Sequence, residues 1–574
     1  MRKNLFGGGK FVAFLKNWRS YGPAVQWLAR HTNPFVRWLL LLLTMDLIAT
    51  CVSICMTLIS RHIIDAATTG HSFSNSVLLY VCVVGVSLLT GATANVLAVV
   101  INERFAFSIR LRIYNSVMHT CWNDISKFHS GDIITRLSSD VDVVATGIAE
   151  VLPSIFSLGI GLVAAFMTLA YFDLGIALFA LILAPITALI GVCSGRLLSP
   201  IQAKIQQSES AYKSYMQESV ANLAVFKAFG AQTQAAEKLE ELRSERVQWV
   251  MKRQKISAAS STLLNASFQL GYIIAFIYSV FRLSRNLITY GTMSVFISLI
   301  GQIQAPVVGL SRVVPRVVSI FTSANRIMEV DRMPAEDMSA PDFSTPTLGL
   351  RAKGLSFAYD KEEIFKDADF CIEPGEFVAM MGSSGIGKTT FVRLAMSYLE
   401  PDHGTITLFD AQGAEHKVTA GARSYISYVP QGNTLISGRI IDNIRLGAPQ
   451  ISQEEIWSIL NVVAVDDFVR STPDGLYTVI GERGLGLSEG QAQRLAIARA
   501  LAKKAPVLIL DEATSALDEQ TELAVLNHLH THRSGITCLL ITHRRSVLGF
   551  CDRCIRIHDK HFVNDGISPK PGNP

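Results

Sequence analysis

The residues best equipped for chemistry are Gly382-Ser383-Ser384-Gly385-Ile386-Gly387-Lys388-Thr389, with Thr390 directly behind them. Glycines at this spacing let backbone N–H groups converge on phosphate oxygens, and a helix predicted to begin near Thr389 adds the positive end of its dipole. Lys388 reaches toward the terminal phosphates of a nucleotide, and the Thr389 hydroxyl is a ligand for Mg²⁺. About 120 residues later, Val507-Leu508-Ile509-Leu510-Asp511-Glu512 ends a buried strand on two carboxylates. Asp511 is placed to hold Mg²⁺ and Glu512 to polarise an attacking water. A strand ending in Asp-Glu is by itself more often a surface turn, but here it follows a phosphate loop, which favours hydrolysis. His543 comes just after the next predicted strand, where it can face a γ-phosphate and orient Glu512 and water, although an isolated His is usually structural. The expected cofactors are ATP and Mg²⁺.

Such a site needs strand ends to carry it. Short apolar runs at 377–381, 406–409, 426–429, 507–510 and 538–541, several bounded by Gly and separated by helical stretches, predict an α/β domain with a largely parallel sheet over 349–574. Residues 331–348, with Pro334, Pro341 and Pro346, read as a linker into it.

The chain before the linker has a different character. Hydrophobic residues make up 49% of the whole and charged residues 17%, a balance that points to a membrane protein. A bilayer-spanning helix needs about 20 apolar residues. Six segments qualify within a transmembrane domain at 35–330: 37–60, 77–101, 148–171, 174–195, 260–283 and 292–314. The connection after the second span holds five Lys and Arg and that after the fourth holds ten, whereas the opposite connections hold only Arg61 and Arg285. Basic loops stay in the cytosol, so both termini and the α/β domain are expected there, in a multi-pass protein of the plasma membrane, specifically a bacterial inner membrane. The two basic connections run to about 45 and 65 residues with helical composition, which predicts helices extending well past the bilayer.

Residues 1–34 carry six basic side chains and no acidic ones, interleaved with Phe11, Phe14, Trp18 and Trp27, as in a lead-in helix lying on the membrane surface. Residues 1–348 hold 29 Lys and Arg against 20 Asp and Glu, and 349–574 hold 23 against 27. A basic, apolar half fits membrane lipids as partner; with no basic stripe carrying interleaved aromatics, nucleic acid is not expected. The nine scattered cysteines form no disulfide framework, and Cys551-Asp552-Arg553-Cys554 lacks a second ligand pair, so it reads as structural rather than as a zinc site.

Leu487-Ser488-Glu489-Gly490-Gln491 resembles the Leu-Ser-Gly-Gly-Gln signature of ABC transporters. With the phosphate loop, the Asp511-Glu512 pair and His543 in matching order, residues 20–565 resemble a six-span, exporter-type half-transporter fused to a nucleotide-binding domain. The resemblance implies that Tyr359 stacks on adenine, that Gln431 of Val429-Pro430-Gln431 senses Mg²⁺ and the membrane domain, and that Ser515-Ala516-Leu517-Asp518 lines a dimer seam. It further implies that Ser488, Gly490 and Gln491 cover the ATP of a second half-transporter subunit. A homodimer is preferred because every ATPase element is in this chain, with a heterodimer left open. Glu489 departs from the signature; reaching a ribose hydroxyl and pointing to solvent are equally open.

By the same resemblance, residues 123–130 and the region 218–230 are coupling segments that meet nucleotide-binding domains, and Gly481-Glu482-Arg483-Gly484 is the loop that meets them. Asp46, inside the first span, faces either substrate or a neighbouring helix. Asn265, Gln269, Gln302 and Gln304 read first as interhelical glue. Arg282 and Arg285 are placed to attract an anionic group near the outer exit, and lipid headgroups would serve equally. The expected activity is ATP-driven export of an amphipathic peptide, lipid or drug by alternating access, the alternative being an ATP-gated channel or regulatory membrane protein on the same fold.

Overall fold

The computed structural model describes residues 22–343, 345–360, 362–481, 484, 486–531 and 535–565. Two compact units emerge: one holds the chain up to Met118 together with Phe128–Arg332, the other His119–Lys127 together with the chain from Met333 onward.

The first unit is helical. Five stretches are long and apolar enough to cross a membrane: Gly22–Thr69, Ser74–His119, Ser130–Phe172, Leu174–Ala221 and Gln232–Ser284. A sixth helix, Tyr290–Asp331, carries Pro306 and Pro315 within it. At about 1.5 Å per residue, a helix the length of Ser74–His119 reaches about 70 Å, twice the bilayer's hydrocarbon core. Each predicted span therefore sits inside a longer rod, because Glu, Lys and Ala continue the helix where the apolar run stops.

Continuity fails in the first basic connection. The helix ends at His119, a four-residue helix Trp122–Ile125 intervenes, and the rod restarts at Ser130. Two π-helical stretches, Arg136–Asp140 and Gly147–Val151, interrupt that rod. Gly147 sits where an added Cβ would stand 2.5 Å from Ile320, so only glycine allows this approach of the two helices.

Trp27, on the described part of the lead-in segment, is 7% exposed and donates its indole N–H to Asp331 at 2.9 Å. That face of the Gly22–Thr32 helix packs on protein rather than on lipid; the rest of the predicted lead-in helix lies outside the described residues. Gln302 donates to the Thr57 hydroxyl on the first long helix at 3.0 Å, a helix-to-helix bond, and to Ser298 one turn back on its own helix at 3.3 Å.

One expectation changes. Arg282 forms an ion pair with Asp173, which also accepts from the Tyr278 hydroxyl at 3.1 Å and caps the Leu174–Ala221 helix through the N–H of Ile176. Its charge is therefore already neutralised by a buried carboxylate, leaving little to attract an anion. Arg285 instead lies 4.1 Å from the centre of the Phe281 ring.

The second unit is built on a six-stranded sheet in the order β12 (His561–Asp565), β11 (Arg553–His558), β3 (Phe377–Met381), β10 (Thr537–Ile541), β9 (Val507–Asp511), β6 (Ile426–Val429). All neighbours are parallel except β12. Side chains alternate between two cores: Phe377, Ala379, Met381, Leu508 and Leu510 enter one, and Val378, Met380, Val507 and Ile509 the other. Burial on both faces explains why these strands read as unbroken apolar runs.

The run at 406–409 does not join this sheet. It belongs to β4 (His403–Asp410) in a separate antiparallel sheet with β1 (Leu348–Tyr359), β2 (Glu362–Ile372) and β5 (Glu415–Lys417). Its partner β1 is interrupted by Arg351, Lys353 and Ser356 and shifts register three times against β2, so no apolar run marks the pairing.

Candidate functional site

The parallel register sets Ile541 beside both Met380 and Asp511, so the C-terminal ends of β3, β9 and β10 lie side by side. The phosphate loop leaves the first, Asp511 and Glu512 the second, and His543 the third. Ligands of open α/β sheets bind at such strand ends.

After β3 the chain loops through 382–387 into the Lys388–Ala395 helix. Gly387 has φ 114°, and a Cβ there would stand 2.7 Å from Ile364, so both backbone and packing require glycine. Ser383, Ser384 and Gly385 are exposed, whereas Ile386 anchors the loop against the second core, and Lys388 and Thr390 are buried. Lys388 Nζ donates to the carbonyls of Gly382 at 2.7 Å and Ser383 at 3.1 Å, and lies 3.2 Å from His543 Nε2. The lysine thus spans the loop's open side.

Thr389 donates to Asp511 Oδ2 at 3.4 Å, and the Tyr428 hydroxyl reaches the same oxygen at 3.4 Å. Asp511 is 2% exposed. Burial, then the charge of Glu512, pushes its carboxyl above the ordinary Asp range, while burial holds the Lys388 ammonium below the ordinary Lys range. Both directions disfavour charge in the site without ligand, and phosphates beside Lys388 or a cation beside Asp511 would reverse them.

Glu512 has φ 50°, an uncommon conformation for a non-glycine residue, fixed by its N–H bonding the carbonyl of Ile541 at 3.0 Å. Its carboxylate stands between Gln431, whose Nε2 donates at 2.7 Å, and His543, whose Nε2 lies 3.0 Å away. Gln431 reaches it from the end of β6. Tyr359 is 39% exposed at the end of β1, its ring edge-on to Phe357, and Arg393 donates to its hydroxyl at 3.5 Å.

Ser488, Gly490 and Gln491 form a second group at the start of the Glu489–Ala502 helix. Ser488 caps this helix by accepting from the N–H of Gln491 at 3.2 Å, and Gln491 Oε1 accepts from the N–H of Ser488 at 2.9 Å. Glu489 is exposed in the first turn, where the helix dipole favours a negative charge. The capping bonds of Ser488 and Gln491 are to each other.

Arg544 and Glu522 were not singled out by sequence. Glu522 is fully buried and paired with Arg544 at 2.8 Å, twenty-two residues away. A buried Glu within the Glu519–Thr531 helix was the available signal, visible only once the helix face is known.

Outside this cluster, Cys551 and Cys554 are buried and in no disulfide, and no group of three or more His, Cys, Asp or Glu suited to a metal occurs among the described residues. Trp122, in the segment that clusters with this unit, packs its ring 5.4 Å from that of Tyr398. On the Leu223–Ala228 helix and just after it, Leu223, Val225 and Phe229 are exposed. Of the loop 481–484, Glu482 and Arg483 lie outside the described residues.

Residues 39–307 match the family model of the ABC transporter transmembrane region, and residues 365–515 match that of the ABC transporter. The ATP-dependent lipid A-core flippase of Syntrophus aciditrophicus is 27% identical over 469 residues, covering 81% of this chain and 78% of that one. A putative multidrug export ATP-binding/permease protein of Staphylococcus aureus is 27% identical over 471 residues, covering 81% of each. The fold is shared with a bacterial Atm1-family ABC exporter solved with ATP bound, at a TM-score of 0.79 and 22% identity over 92% of this chain and 95% of that one. Matched over both its membrane-spanning and its nucleotide-binding parts, the chain belongs to the ABC transporter superfamily, as an ATP-hydrolysing, multi-pass half-transporter.

Proposed function

We propose that two half-transporter subunits sandwich two MgATP and use their hydrolysis to export an amphipathic substrate from the cytosol or inner leaflet. The observation that carries this reading is the Glu512 carboxylate, held between Gln431 and His543 beside the Asp511–Thr389 pair.

Lys388 and the backbone N–H groups of 383–389 bind the phosphates, and Tyr359 offers its exposed ring to the adenine. Asp511, Thr389 and Gln431 would hold Mg²⁺; one carboxylate, one hydroxyl and one amide suit an ion that takes its remaining ligands from phosphate and water. When bound, Mg²⁺ neutralises charge on the phosphates. Glu512 then accepts a proton from the attacking water, and His543 orients that water and the γ-phosphate.

Ser488 and Gly490, at the start of a separate helix, complete the site of a second subunit, most economically a copy of this chain. ATP binding favours the closed pair and hydrolysis removes the preference, which supplies the differential affinity that drives alternating access. Export, rather than uptake, is supported by the names of the relatives, and a bacterial inner membrane with cytosolic termini by their sources and by the basic connections. Asp46, half-buried in the first long helix, is the acidic candidate for substrate contact.

The test is ATPase stimulation by lipids, peptides and hydrophobic drugs in purified, reconstituted protein, with Glu512→Gln as control. The variant should retain ATP binding and lose about 10²- to 10⁴-fold in turnover, the range of a general base. Normal hydrolysis by the variant would sink the assignment, and ion currents that persist in it would favour a channel instead.

A further inference from the structure

Arg544 sits one residue beyond His543 and holds three acceptors at once. Nη1 donates to the carbonyl of Leu517 at 2.9 Å and to Glu522 at 2.8 Å, and Nη2 donates to the carbonyl of Ser515 at 2.8 Å. The other oxygen of Glu522 accepts from Thr514 at 2.6 Å. One cation therefore ties both carbonyls that flank Ala516 to a carboxylate with no exposure to solvent.

The same short segment is held from its other side by the signature helix. Gln493 Oε1 accepts from the N–H of Ala516 at 3.0 Å, and Gln493 Nε2 donates to the Ser515 hydroxyl at 3.1 Å. Gln493 is 3% exposed, and a Cβ on Gly490 would stand 3.1 Å from the carbonyl of Ala516. Residues 515–517 are thus clamped between the strand end that bears His543 and the helix start that bears Ser488 and Gly490.

This inference rests on the two-subunit reading above, in which His543 faces the ATP of its own chain and Ser488 and Gly490 cover that of the partner. We propose that Arg544 is a positioning residue that couples the two ATP sites, carrying the placement of the His543 strand end through Ser515 and Leu517 to the signature helix. Separating Arg544 from Glu522 would strand a buried carboxylate, so movement at the strand end passes to the carbonyls instead of being absorbed at the ion pair. A lysine would still neutralise Glu522, but as a point charge on a flexible stem it cannot hold the fork to both carbonyls.

That difference supplies the test, on full-length protein reconstituted in lipid. Arg544→Lys should keep the parent's melting temperature and, in the Glu512→Gln background, its ATP affinity. Its ATPase should fall about tenfold or more and lose cooperativity in ATP, within the usual span of coupling between sites. Gln493→Ala, opening the clamp from the other side, should lose the same cooperativity, and the double variant should lose no more than either alone. Parent-like rate and cooperativity in Arg544→Lys, a melting-temperature drop that tracks its rate loss, or two bound ATP without cooperativity in the parent would each overturn the proposal. A parent that binds one ATP per particle would remove the two-subunit reading and this inference with it.

Discussion

Asp511 and Glu512 are adjacent acids in opposite surroundings, and that contrast divides their work. Asp511 is buried against Thr389 and Tyr428, while Glu512 turns out through a left-handed backbone to meet Gln431 and His543. Burial, reinforced by the charge of Glu512, raises the Asp511 pKa, so protons compete with a cation for that oxygen at pH values where an ordinary Asp is fully ionised. The sign follows: lowering the pH fills the carboxyl with a proton and weakens cation binding. The Mg²⁺ concentration needed for half-maximal ATPase should therefore rise as the pH is lowered toward the range where carboxylates titrate, in a titration at saturating ATP. A Mg²⁺ requirement that does not rise at any pH down to that range would remove Asp511 from the cation site.

At the level of elements, the loop from β3 into the Lys388–Ala395 helix is held in shape by what glycine permits. Gly387→Ala meets both a positive φ and a side chain 2.7 Å away, strain on the order of 1–3 kcal/mol, or about five- to 150-fold in ATP affinity by equilibrium binding. The short Trp122–Ile125 helix makes a second prediction. Trp122→Ala removes the ring contact with Tyr398, worth about 0.5–1.5 kcal/mol beyond area, and should leave basal ATPase intact while substrate stimulation falls by up to about tenfold. These elements were unequally legible in sequence. The strands that lead into Lys388, Asp511 and His543 are buried on both faces and appear as apolar runs, so their order along the chain is legible. The antiparallel sheet around β1 was hidden because its alternation is broken by register shifts. Arg544 with Glu522 and Arg282 with Asp173 were hidden for another reason, since each pair joins residues that only the folded chain brings together. The break at 120–129 is not marked by composition, because helical composition runs up to it on both sides; the family resemblance alone points to 123–130.

For the whole molecule, the proposed two-subunit site turns on two groups carried by separate elements, the phosphate loop after β3 and the start of the Glu489–Ala502 helix. Ser488 and Gly490 start one helix, the phosphate loop ends β3, and a second subunit is the simplest way to join them. Long helices that continue from the apolar spans give closure of that pair a route to the bilayer. The most direct test is the mass and nucleotide content of Glu512→Gln protein purified with excess MgATP. The account predicts two half-transporter subunits with two ATP retained per particle, both lost when Ser488 is replaced by a bulky arginine. A single chain that retains one ATP, unaffected by that replacement, would contradict it.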